Sequence, residues 1–114
     1  MSYNRVQRFE EITTSMLDLY KRKNADYGNS VAKTFDEWGL VSFLVRMEDK
    51  MNRVINLTQK QGEAKVADEK IEDTILDLAN YSIMALIEMD RYKSELTSHN
   101  IAPEKSNKKN GNNR

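Results

Sequence analysis

The stretch DEKIEDTILDLANYSIMALIEMDRY, residues 68 to 92, decides the fold of this chain. It contains no Pro and no Gly, and its apolar residues recur at helical spacing, which predicts a long helix from about residue 67 to 92. From Leu76 onward the segment is apolar almost all round: Leu78, Ala79, Ile83, Met84, Ala85, Leu86, Ile87 and Met89. A helix that is apolar on every side is expected to be packed on every side. One short chain has few helices with which to surround it, so a second subunit is expected to cover part of it. The expected architecture is therefore all-α, a bundle of about four helices with an oligomeric core, as a homodimer or homotetramer.

The remaining helices are placed outward from this one. Val6, Phe9, Thr13, Met16 and Tyr20 recur at spacings of three and four and predict an amphipathic first helix over residues 4 to 23. The segment NADYGNS, residues 24 to 30, is rich in turn-tolerant residues and reads as a break. Ser30 would then cap a short helix holding Val31, Phe35 and Trp38, and Gly39 would end it. The next helix is expected from about residue 40 to 57. Its apolar arc is read as Leu40, Val41, Leu44, Met47, Met51 and Ile55, with Glu48 inside it. TQKQGEAK, residues 58 to 65, reads as a polar loop. Residues 1–93 form one domain by this reading. Residues 94–114 lose periodicity, become rich in Asn and Lys, and are expected to form a flexible tail.

Composition narrows the function. Lys+Arg and Asp+Glu each number 18, so the chain has no overall charge with which to seek nucleic acid or a membrane surface. Any charge chemistry must be local. The chain has no Cys, which excludes disulfides, thiolate catalysis and Cys-based metal sites. No apolar run approaches the ~20 residues of a membrane span, and the N-terminus has no apolar signal core. The expected location is the cytoplasm.

The local charge that stands out is a row of acids. Glu69, Asp73 and Asp77 lie at i, i+4 and i+8, with Asn80 three further on. At ~100° per residue all four fall within about 80° of one another. Like charges four apart destabilise a helix by ~0.2–0.5 kcal/mol per pair, so the row calls for compensation. Lys or Arg could supply it, and so could Mg²⁺, which favours carboxylate oxygens and shared phosphates. Glu48 on the preceding helix is a facing acid, and Arg46, Lys50 and Arg53 form a basic edge suited to phosphate. Asp26, Tyr27 and Asn29 in the expected turn could hold a base and sugar, or simply anchor the turn. For each charged group a solvated or salt-bridged structural role stands as the alternative.

KNADYGNS, RMEDKMNRV and DEKIEDTILDLANY together resemble the nucleotide modification associated domain family of phages and bacteria, over roughly residues 15 to 90. That family in turn is similar to the MazG-like all-α nucleoside triphosphate pyrophosphatases, whose paired acidic motifs bind Mg²⁺ for cleavage between the α- and β-phosphates. The resemblance implies a Mg²⁺-dependent, nucleotide-binding, pyrophosphatase-like protein of nucleotide metabolism. Glu48, Glu69, Asp73 and Asp77 would hold the metal, with Glu48, Asp73 and Asp77 catalytic. Asp26, Tyr27, Asn29, Lys50, Arg53 and Asn80 would bind the substrate. The chain departs from the acidic motifs at two places. Thr74 stands where the partner acid of Asp77 is expected, and Met51 or Asn52 stands at the second acid position of the earlier helix. The rival expectation is a non-enzymatic helical oligomer whose acids make structural salt bridges.

Overall fold

A computed structural model of the chain describes residues 2–59 and 64–99, with the side chains of residues 25–29, 64–67 and 99 outside the description. The described residues form three α-helices: α1 (Arg5–Trp38), α2 (Val41–Thr58) and α3 (Ala64–His99). The all-α bundle read from the sequence is the fold. The bundle's centre is an α2–α3 hairpin, and its antiparallel register is fixed by three contacts. Phe43 clusters with Met84 and Ala85, Arg46 lies over Tyr81, and Lys50 pairs with Asp77.

The expected break over residues 24–30 does not occur: the backbone is helical throughout, and α1 is a single element of 34 residues, about 51 Å long at 1.5 Å per residue. Ser30 is accordingly an interior residue rather than a cap. The penalty of Asn, Asp and Gly within a helix is at most ~1 kcal/mol each. Burial on either side outweighs it, because Tyr20 and Val31 lie within about 20° of each other on the helical wheel and pack against the same core. The N-cap is Asn4, whose side chain accepts a hydrogen bond from the Gln7 backbone N–H at 2.9 Å. Gly39 ends the helix as expected. Its φ of 70° and ψ of −155° lie in a region essentially restricted to glycine, and its N–H donates to the Phe35 carbonyl at 2.6 Å.

The core is small. Phe35, Phe43, Met84 and Ala85 are buried together, with Tyr20, Val31, Met47, Tyr81, Met89 and Tyr92 packed around them. The Phe35 ring meets those of Phe43 and Tyr92, each at 6.1 Å between centroids. Arg91 holds α1 to α3 at this end. Its guanidinium donates to Asp36 of α1 at 2.6 Å, and to Glu88 and Glu95 of α3 at 2.7 Å each. The hydrogen bonds to Asp36 and then Glu88 raise the Arg91 pKa further above its already high value, so this group stays a cation.

The face that α2 turns inward is not the arc read from the sequence. Phe43 and Leu57 are buried, with Met47, Lys50 and Val54 half-buried between them. Leu40, Val41, Leu44, Met51 and Ile55 are exposed; of the expected arc only Met47 faces in. The helix carries two apolar arcs about 100° apart on the wheel, and periodicity alone does not rank them. The aromatic ring of Phe43 and its fit against Phe35 select the second. Past residue 93, α3 continues in helical form through residues 94–99. The expected loop over residues 58 to 65 is shorter than read, because Thr58 still belongs to α2 and residues 64 and 65 to α3; residues 60–63 and the remainder of the expected tail lie outside the described residues.

Candidate functional site

Beyond the aromatic core, toward the middle of the hairpin, the contact between α2 and α3 changes character. One helical turn C-terminal of Met47, α2 presents Lys50 instead of an apolar side chain. Two turns N-terminal of Met84, α3 presents Asp77. The Lys50 Nζ lies 3.4 Å from Asp77 Oδ2, with the two side chains 30% and 45% exposed. That exposure matters: a pair open to water contributes only ~0–1 kcal/mol, so packing alone gives little reason to place ions there.

The pair stands at the edge of a groove of about 340 Å³ walled by all three helices. Leu19 and Lys23 come from α1, Lys50 from α2, and Asp77, Asn80, Tyr81 and Met84 from α3. Met84 and Leu19 give the groove an apolar surface. Lys23 and Lys50 bring two ammonium groups, and Asp77, Asn80 and Tyr81 bring a carboxylate, an amide and a phenol. The Arg46 guanidinium lies 6.0 Å from the Tyr81 ring centroid, within cation–π range, and adds a third cation beside the groove. The volume falls within the range of small-molecule sites, ~300–1,000 Å³. A mostly polar lining with excess positive charge, and with Leu19, Met84 and the Tyr81 ring beside it, suits an anionic ligand that carries a ring.

The residues singled out in the sequence divide between this groove and the surface. Lys50, Asp77 and Asn80 line the groove together. Asp73 and Glu69, one and two turns earlier on the same row, are exposed and do not line it. Glu48 is exposed on α2 among Leu44, Met51 and Ile55, well away from the face that carries Lys50. Arg53 is also exposed outside the groove. The side chains of Asp26, Tyr27 and Asn29 lie outside the described residues. Thr74 is buried at 3% exposure, and its hydroxyl donates to the Lys70 carbonyl at 2.6 Å. A carboxylate at that position would be pressed into the helix interface, so a small hydroxyl that satisfies itself on its own helix fits better.

Leu19, Lys23, Tyr81 and Met84 were not singled out as site residues from the sequence. Leu19 and Lys23 are one turn apart and so share a face of α1; that spacing was available as a signal, but it does not show which helices the face meets. Tyr81 follows Asn80 directly.

Among the described residues, no group of three or more acids or histidines converges to hold a metal ion. The donors that do meet are the Asp77 carboxylate and the Asn80 amide oxygen. Mg²⁺ commonly takes one or two carboxylates and completes its shell with water and substrate phosphate. The donor set therefore fits a metal that arrives with a phosphorylated ligand, and does not form a dedicated protein cage.

Residues 23–89, more than half of the chain, match the family model described as nucleotide modification associated domain 1, and the chain belongs to that family. No curated protein and no solved structure gives a significant match. The matched segment contains every groove residue except Leu19.

Proposed function

We propose that this member of the nucleotide modification associated domain 1 family binds a nucleotide with Mg²⁺ in the groove between its three helices, as a homodimer or homotetramer, and hydrolyses nucleoside triphosphate to monophosphate and pyrophosphate. The observation that carries the reading is the meeting of Lys23, Lys50, Asp77 and Asn80 beside Leu19, Tyr81 and Met84 in one groove of about 340 Å³. Lys23 and Lys50 neutralise phosphate, and in doing so Lys50 exchanges the Asp77 carboxylate for a ligand oxygen. Asp77, freed of its ammonium partner, is the carboxylate for the metal, with Asn80 as a neutral oxygen donor beside it. Tyr81 and Met84 offer a surface to a base. A bound Mg²⁺ supplies Lewis-acid polarisation of the phosphate and lowers the pKa of a water. Asp73 is the next carboxylate on the same row. Glu48 joins the site only if another subunit supplies it, because its own helix carries it away from Asp77. The resemblance of the family to MazG-like pyrophosphatases, read from the sequence alone, favours hydrolysis over simple binding, and Thr74 and Asn52 stand where those enzymes carry acids.

The 3.4 Å Lys50–Asp77 contact also favours a second reading, a non-enzymatic helical module in which the pair is structural. A thermal-shift panel of canonical and modified nucleoside triphosphates, with and without Mg²⁺, separates the two. Nucleotide binding stabilises the fold by RT ln(1 + [L]/Kd), and pyrophosphate release then reports hydrolysis. A melting temperature indifferent to every nucleotide, with Mg²⁺ present, supports the structural module.

A further inference from the structure

Two helix faces of this chain are apolar and exposed in the single subunit, and they match each other in length and charge. The first is on α1. Val6, Phe9, Thr13 and Leu17 fall within about 80° on the wheel; Val6 is 81% and Phe9 71% exposed. Arg5 precedes this stripe and Lys21 follows it one turn on, with Glu10 at its border. The second is on α3. Ile75, Ala79, Ile83 and Leu86 fall within a similar arc, opposite the side that carries Tyr81 and Ala85 into the core; Leu86 is 65% exposed. Glu72 stands in line one turn before this stripe and Asp90 one turn after it. Each stripe spans eleven residues of rise, about 16 Å. One is bounded by bases at its ends and the other by acids.

We propose that the α1 stripe of one subunit docks on the α3 stripe of a second copy, and the reverse, to form a closed two-fold dimer. The proposal names the contact surfaces for the homo-oligomer in the reading above. The chain cannot make the contact with itself. Its α1 is one continuous helix that packs, through Tyr20, Val31 and Phe35, against the opposite side of the hairpin from the α3 stripe. The rest of the chain is no substitute, because residues 100–114 offer only Ile101, Ala102 and Pro103 as apolar side chains. A second copy brings a stripe of the right length with bases where α3 has acids. Apolar burial then supplies affinity, and the end charges set the register.

The absence of Cys allows a direct test on the full-length chain. Phe9→Cys and Ile83→Cys chains are prepared separately, mixed and oxidised, and wild type is weighed by sedimentation. The expected results are a wild-type mass twice 13.3 kDa, and a disulfide that joins a Phe9→Cys chain to an Ile83→Cys chain in excess of either homodimer. Ile83→Glu should yield a folded monomer, because the side chain is already exposed in the subunit. Glu72→Lys with Asp90→Lys should weaken the dimer at least tenfold, and Arg5→Glu with Lys21→Glu in the same chain should restore it. A monomeric wild type overturns both the docking and the homo-oligomer. A dimer in which Ile83→Cys chains join only one another overturns the docking alone. Nucleotide binding, measured on the Ile83→Glu monomer, reports on the groove separately.

Discussion

The α2–α3 interface is built in two ways along its length. Around Phe43 it is aromatic and aliphatic, closed by Phe35 and Tyr92, beside the Arg91–Asp36 pair that ties α1 to α3. Two turns of α2 away it is an ion pair at the edge of an open groove. Apolar side chains at positions 50 and 77 would continue the core and hold the hairpin more firmly, because replacing ion pairs with well-packed apolar groups is often neutral or stabilising. The first region is thus where the fold is held, and the second is where the interface carries charge in place of apolar packing.

Substitutions should separate the two regions, with the largest effect at the aromatic end. Phe35→Ala removes the ring that touches Phe43 and Tyr92 and should cost ~3–5 kcal/mol in urea unfolding, with loss of cooperative melting. A loss under 1 kcal/mol would mean that α1 is not part of the folded core. Arg91→Met should follow at roughly 1–3 kcal/mol, since it leaves the largely buried Glu88 carboxylate, 13% exposed, without its cation. Because Asp36 loses the same partner, an Asp36→Asn change made on the Arg91→Met background should add almost nothing. Gly39→Ala should cost ~1–2 kcal/mol from backbone strain at φ 70° alone, as nothing lies within 4 Å of an added Cβ. At the groove, Lys50→Met should change stability by less than ~1 kcal/mol while nucleotide affinity falls at least tenfold. An equal loss of stability and binding would erase the distinction between the regions.

The sequence carried the helices of this fold better than their breaks. The apolar run from Leu76 to Met89 identified α3, and Gly39 correctly marked the end of α1. The NADYGNS segment misled, because local turn propensity amounts to fractions of a kcal/mol per residue and the core contacts of Tyr20 and Val31 outweigh it. On α2 the inward face was missed because two apolar arcs compete, and only tertiary contact with Phe35 decides between them. The candidate site was half legible. Asp77 and Asn80 stood out as polar residues in an apolar helix, and Lys50 as part of a basic edge. Glu48 and Asp73 share the residue type but not the groove, since helical spacing shows which residues are aligned along one helix and not how the next helix is rotated against it. Lys23 lay one turn from Leu19 within the expected first helix, but only the packing of α1 against α2 and α3 brings it to Lys50 and Asp77.

The proposed role of the Lys50–Asp77 groove is to take a nucleotide together with Mg²⁺. Isothermal titration of a panel of canonical and modified nucleoside triphosphates into wild type, Lys50→Met and Asp77→Asn, each with Mg²⁺ and with EDTA, tests it most directly. Wild type should bind at least one of them, more tightly with Mg²⁺ than without. Lys50→Met should bind weakly under both conditions, and Asp77→Asn should lose the Mg²⁺ advantage while melting no lower than wild type. Nucleotide binding that survives both substitutions unchanged, or a wild type that binds no nucleotide while Asp77→Asn loses several kcal/mol of stability, would contradict it.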